Sequence, residues 1–285
     1  MLLEFLRRAM WALFGVPALL IFGYLGGWWL FAPLSVLCLI GMAEYYSAAI
    51  AGGFRPAVLM GFLVGTAIIA VTIFYPQNAT EITIALLVVL GAAALMSALR
   101  PGHKQVAFTS SAITVFGVVY VALMLSFLAR LRGLDLPVAL DAGGLGEFWH
   151  RMGAFVLAVV PVWFCDTFAF LAGKTWGKQP LVPDISPHKT IAGGVAGLLA
   201  ALTCTLALGL WLGMPWYHAV ILGVLLGVFG QVGDMGSSIL KRNLDIDDFG
   251  TIFGVHGGFL DRFDALLFDM PLLYYYLVLF FVVLK

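Results

Sequence analysis

The chain has 285 residues, of which 62% are hydrophobic and 11% charged, and its formal net charge is zero. Soluble domains carry about 25% charged residues, and a soluble core of this length has too little interior to hide so much apolar surface. The composition excludes an ordinary soluble domain, and the absence of a basic excess gives nucleic acid no electrostatic footprint.

A membrane-spanning helix needs about 20 mostly apolar residues. Runs of this kind fall near 10–26, 28–50, 57–75, 82–99, 106–129, 153–173, 190–213, 217–235 and 262–284. They predict an all-α fold, a polytopic transmembrane helical bundle of about nine spans. Only Gly26 and Gly27 part the first two runs. The first run follows Arg7 and Arg8 as a signal peptide would, but it lacks a clean cleavage site and leads into further spans, so it reads as a membrane anchor. Glu44, beside Tyr45 and Tyr46, is costly at membrane depth and is expected to face the bundle interior or a polar cavity. Substrate contact and a structural role stay equally open for it.

Cys38, Cys165 and Cys204 lie in apolar runs without CxxC or Cys/His spacing and read as small packing residues. Trp28, Trp29, Trp211 and Trp216 sit at span ends, where an aromatic belt is expected. The connector 130–151 carries charges of both signs and reads as a solvated link. With nine spans, Arg7, Arg8, Arg55, Arg100, Lys104, Lys174, Lys178, Lys189, Lys241, Arg242 and Arg262 share the side of the N-terminus. Arg130, Arg132, Arg151 and Lys285 lie on the other. The bias predicts a cytoplasmic N-terminus, with loops 174–189 and 234–264 on the same side. The chain then divides into N-terminal transmembrane helices, 1–150, and a C-terminal catalytic region, 151–285.

The stretch 230–264 carries the chemistry. Asp234, Ser237, Ser238 and Lys241 lie at i, i+3, i+4 and i+7, one face of a helix. Such a face is costly in lipid unless it lines a wet cavity. Asp261 and Asp264 are one helical turn apart, so the spacing predicts two carboxylates pointing the same way. They repel unless something cationic lies between them, and oxygen ligands of this kind suit Mg²⁺. Between the pairs, Gly257 and Gly258 follow His256. Glycines let backbone N–H groups approach a ligand, and a turn leading into a helix suits an anion. With Lys241, Arg242 and Arg262, the set matches what a nucleoside triphosphate with Mg²⁺ needs.

Ser238-x-Leu-Lys-Arg242, followed by His256-Gly-Gly-Phe-Leu-Asp-Arg-Phe-Asp264, resembles the signature of the phosphatidate cytidylyltransferase (CDP-diacylglycerol synthase) family. A second block, Asp166-Thr-Phe-Ala, Gly173-Lys174-Thr-Trp-Gly177-Lys178 and Ser186-Pro-His-Lys189-Thr190, is similar to that family's upstream elements, in the same order and spacing over 166–264. The resemblance implies an enzyme of a bacterial inner membrane that condenses CTP with phosphatidic acid to CDP-diacylglycerol and pyrophosphate. It implies that Asp234, Asp261 and Asp264 hold Mg²⁺ and that Lys241 contacts phosphate. It also implies that Asp166, Lys174, Lys178, Ser186, Lys189, Thr190, Ser237, Ser238, Arg242, His256, Gly257, Gly258 and Arg262 bind substrate. The expected partners are these two substrates, the bilayer and, as an assembly to test, a second copy of the chain.

Three positions depart from the family pattern. Asp247 and Asp248 stand where Lys-Asp is usual, Ala192 stands where a Glu precedes Gly193, and Lys174 stands for an Arg, losing bidentate geometry. The departures keep open a diverged paralogue with another lipid phosphate or without catalysis. A transporter is the alternative of a different class.

Overall fold

A computed structural model describes residues 15, 17–97, 107–134, 136, 143–252 and 257–283. Its helices are α1 (Gly27–Ala51), α2 (Val58–Phe74), α3 (Ala79–Ser97), α4 (Ala107–Gly117), α5 (Met124–Arg132), α6 (Gly143–Trp176), α7 (Ile191–Trp211), α8 (Trp216–Asn243) and α9 (Leu260–Leu277). A π-helical turn, Val118–Leu123, joins α4 to α5, and the two form one span, Phe108–Arg132.

Among the described residues, seven helices are long and apolar enough to cross a membrane, which makes the chain an integral membrane protein. The count falls below nine for two reasons. Helix α2 is apolar but has 17 residues, about 26 Å at 1.5 Å per residue, against a hydrocarbon core of about 30 Å. The run 10–26 lies partly outside the described residues, and 17–25 of it is helical. Gly26 and Gly27 do break the chain here, with φ of 63° and 50°, a left-handed conformation that glycine adopts without steric cost. Arg132 Nε donates to Gly23 O at 3.1 Å, satisfying one carbonyl of the helix that ends at this break.

Among the described residues the fold departs from all-α at one place. Between α6 and α7 the chain forms an antiparallel hairpin of β1 (Pro180–Val182) and β2 (Ser186–Thr190), pairing Pro180 with Thr190 and Val182 with Ser186. The two parts of the sequence, before and after residue 150, share one buried apolar cluster, running from Leu19 through Val121 and Phe155 to Leu277. Lipid gives helices little hydrophobic reason to associate, so small residues and close packing do that work. Gly223 and Gly227 of α8 meet Leu202 and Leu198 of α7, and Gly197 of α7 meets Cys165 and Ala169 of α6. Gln231 Nε2 ties α8 to α7 through Gly194 O at 3.0 Å. The three cysteines are free, two of them buried.

Trp28, Trp29, Trp211 and Trp216 are exposed at one end of the bundle. The other end gathers the C-terminal ends of α1, α6 and α8, the N-terminal ends of α7 and α9, and the hairpin. It is called the polar end below.

Helices α1, α2 and α4 meet at Tyr46, whose hydroxyl donates to Thr114 O at 2.8 Å. A Cβ on Gly61 would collide with that hydroxyl. Tyr46→Phe is expected to cost about 1 kcal/mol of stability and Gly61→Val about 1–3 kcal/mol. Thermal unfolding in detergent should rank Gly61→Val below Tyr46→Phe.

Candidate active site

The hairpin and the start of α7 set up one wall. Thr190 has extended dihedrals and its Oγ1 accepts the N–H of Gly193 at 3.2 Å, an N-cap that satisfies one orphan donor of α7. Gly173, Gly177 and Gly193 all approach Thr190 Oγ1 closely. These glycines let the end of α6 pack against the start of α7. Lys189, one residue before the cap, reaches across to α8, where its Nζ lies 2.6 Å from Asp234 Oδ2. The contact is an ion pair by distance, without a directed hydrogen bond.

Around this pair stand two further carboxylates. Asp264 is buried, its Oδ1 accepts the N–H of Ala265 at 2.8 Å, and Asp234, Asp166 and Lys189 all act on it electrostatically. Asp166 is exposed; Asp234, Lys189 and Arg262 are its electrostatic neighbours. Ser237 is fully buried. The Tyr120 hydroxyl, carried on the π-helical turn, is also buried and meets the Ser237 hydroxyl, within electrostatic reach of Asp264 and Asp234. Ser238 Oγ donates back to Asp234 O at 3.0 Å.

The second group lies at the start of α9. Lys241 Nζ meets Asp261 Oδ1 at 2.7 Å, with side chains 12% and 4% exposed. Asp261 Oδ2 accepts the N–H groups of Phe249 and Gly258, each at 2.9 Å. Glu44 Oε1 and Oε2 accept those of Phe259 and Leu260, also at 2.9 Å.

Two expectations change here. Asp261 and Asp264 do not point together, because three helical residues leave about 60° between side chains. That offset turns Asp261 to Lys241 and the loop, and Asp264 to Asp234 and Asp166. The Gly257–Gly258 turn does take a left-handed step, with φ of 80° at Gly257. Its neighbouring N–H groups, however, are matched by the protein's own carboxylates and not held open as a phosphate cradle. His256 lies outside the described residues.

The remaining cations are peripheral. Lys174 and Lys178 are exposed at the end of α6, Lys174 lying 5.4 Å from the centre of the Phe170 ring. Ser186 opens β2, half-buried, and Arg262 is exposed. Arg242 pairs with Asp247 at 3.0 Å, with side chains 50% and 91% exposed. The anion that replaces the family's lysine is therefore screened by solvent. Among the described residues, no three His, Cys, Asp or Glu side chains converge as a complete metal cage. The residue-type reading did not single out Tyr120, since a tyrosine in an apolar run carries no signal, and it left the partner of Glu44 undetermined.

The model of the cytidylyltransferase family matches residues 6–280. A phosphatidate cytidylyltransferase of Synechocystis sp. is 30% identical over 294 residues, covering 96% of each chain. One of Bacillus subtilis is 35% identical over 175 residues, 61% of this chain and 60% of that protein. The chloroplastic phosphatidate cytidylyltransferase 5 of Arabidopsis thaliana is 33% identical over 273 residues, 87% of this chain and 66% of that protein. The matched regions thus span under two thirds of the Bacillus and Arabidopsis relatives and nearly all of the Synechocystis one.

The two ion pairs should differ in mutagenesis. Asp261→Ala leaves Lys241 buried without its partner and is expected to cost about 3–5 kcal/mol. Asp247→Ala removes an exposed pair worth about 0–1 kcal/mol. Thermal unfolding of both variants in one detergent checks the contrast.

Proposed function

The chain belongs to the cytidylyltransferase family, and on that premise we propose that it condenses CTP with phosphatidic acid, giving CDP-diacylglycerol and pyrophosphate for phospholipid synthesis. The observation that carries the reading is the meeting of Asp166, Asp234 and Asp264 with Lys189 at the polar end. It is a charged cluster in an otherwise apolar bundle, suited to a nucleotide that must meet a lipid headgroup.

In this reaction a phosphate oxygen of the lipid attacks the α-phosphorus of CTP. The bond from that phosphorus to the bridging oxygen breaks, and pyrophosphate leaves. No side-chain nucleophile is needed; the protein positions the groups and offsets charge. Three carboxylates with the Lys189 ammonium among them leave surplus negative charge and a set of hard oxygen donors. That fits Mg²⁺, which takes one or two carboxylates and completes its shell with waters and phosphate oxygens. Asp264 and Asp234 would hold it, beside Asp166. Both oxygens of Asp261 already accept donors, so its first role is to hold Lys241 and the loop. When bound, Mg²⁺ neutralises and orients phosphate oxygens.

Lys189 and Lys241 supply fixed cations, one beside Asp234 and the other beside Asp261. The Ser237 and Tyr120 hydroxyls supply donors, and Lys174 and Lys178 draw the triphosphate toward the carboxylate cluster. The Lys and Arg bias supports a polar end on the cytoplasmic side of a bacterial inner membrane, where it would meet CTP. The oligomeric state, with a homodimer as the working expectation, is read from the mass of the solubilised protein.

The test is incorporation of radiolabelled CTP against a panel of lipid phosphates. Labelled CDP-diacylglycerol is expected with phosphatidic acid, lost on chelation and restored by Mg²⁺. Asp264→Asn should lower turnover by about 100-fold or more. No product from any lipid phosphate, with folded protein and Mg²⁺, would sink the proposal.

A further inference from the structure

We infer that Glu44 is a positioning residue for the catalytic end of α9. From a different span, it closes the first turn of that helix and sets where the Lys241–Asp261 pair and Asp264 stand. The kinetic part of this inference rests on the cytidylyltransferase reading; the backbone part does not.

Helix α9 begins after Phe259, which makes no side-chain cap. A phenyl ring has no acceptor, so the first N–H groups need partners from elsewhere. At this depth water is not a dependable one. Glu44 provides both, accepting the N–H of Phe259 with Oε1 and of Leu260 with Oε2 across 215 and 216 residues of sequence. Its carboxylate also faces the positive end of the helix dipole, the sign that favours an anion.

The site is built to receive it. Glu44 is 7% exposed, and a Cβ on Gly250 or Gly258 would collide with its Oε1. The carboxylate thus fills a slot between Gly250 and Gly258. Asp261 grips Phe249 N–H and Gly258 N–H from the other side. Two carboxylates hold Phe249 and residues 258–260, and Glu44 ties the start of α9 to the N-terminal spans by these bonds. Asp261 follows Leu260 directly and Asp264 comes one turn later, so any shift of the first turn moves both.

Glu44→Gln keeps the size but turns an amide NH₂ toward a backbone N–H, so one of the two bonds is lost. Gly250→Ala displaces the same carboxylate from outside. Both are made in the full chain, in detergent or nanodiscs. Amide hydrogen exchange should rise by about tenfold or more at Phe259 and Leu260 in Glu44→Gln, with the other spans unchanged. Turnover should fall by about 10- to 100-fold, while KM for CTP stays within about threefold. The double variant should be no slower than the worse single one, because both break one contact.

Unchanged exchange at 259–260, or exchange raised equally in every helix, would overturn the clamp. Raised local exchange with wild-type turnover, or additive losses in the double variant, would overturn the positioning role. If Glu44→Gln does not fold, Gly250→Ala carries the same readouts. If the unaltered chain makes no CDP-diacylglycerol, that failure belongs to the reaction assignment, and the exchange data still decide the clamp.

Discussion

Lipid offers no hydrogen bonds, so charges and free N–H groups at the end of this bundle must be matched inside the protein or face water in a cavity. Residues 245–250, Gly258 and the start of α9 show how the chain meets that constraint. Asp261 gathers one ammonium and two amides, and Glu44 gathers two more amides. The positive end of α9 is satisfied by protein, and the loop is tied to α1 and α8. Once these groups are consumed, Asp264 is the acid of α9's first turns left to face Asp234 and Asp166.

This division separates groups that hold from groups that work. The holding carboxylates are nearly enclosed and fully partnered. The carboxylates of Asp166, Asp234 and Asp264 are crowded together, with Lys189 paired to one of them. Beside them the buried hydroxyls of Ser237 and Tyr120 meet each other. The π-helical turn that carries Tyr120 is of a kind that recurs at functional sites.

The departures from the family pattern acquire different meanings in three dimensions. Asp247 faces solvent and pairs with Arg242, so its charge is spent at the surface. Lys174 is exposed beside Phe170, where a cation is kept and a fork geometry has no observed partner to match. Ala192 lies in the first turn of α7, two residues after the Thr190 cap, and nothing in the structure assigns a role to the missing carboxylate.

By itself the sequence determined the membrane fold, the positions of most spans and the residues of the polar end. Apolar runs of bilayer length and acids at motif spacing are local properties, readable one segment at a time. The hairpin escaped because three and five residues carry too little pattern. The run 57–75 locates α2, Val58–Phe74, to within a residue, and what composition does not decide is whether 17 helical residues cross the bilayer. Only the tertiary structure decided which acids serve the carboxylate cluster and which the scaffold. Asp261 and Asp264 look equivalent in sequence, and a rotation of about 60° gives them different neighbours. Glu44 is one carboxylate in an apolar run until the fold brings it 2.9 Å from amides more than two hundred residues away.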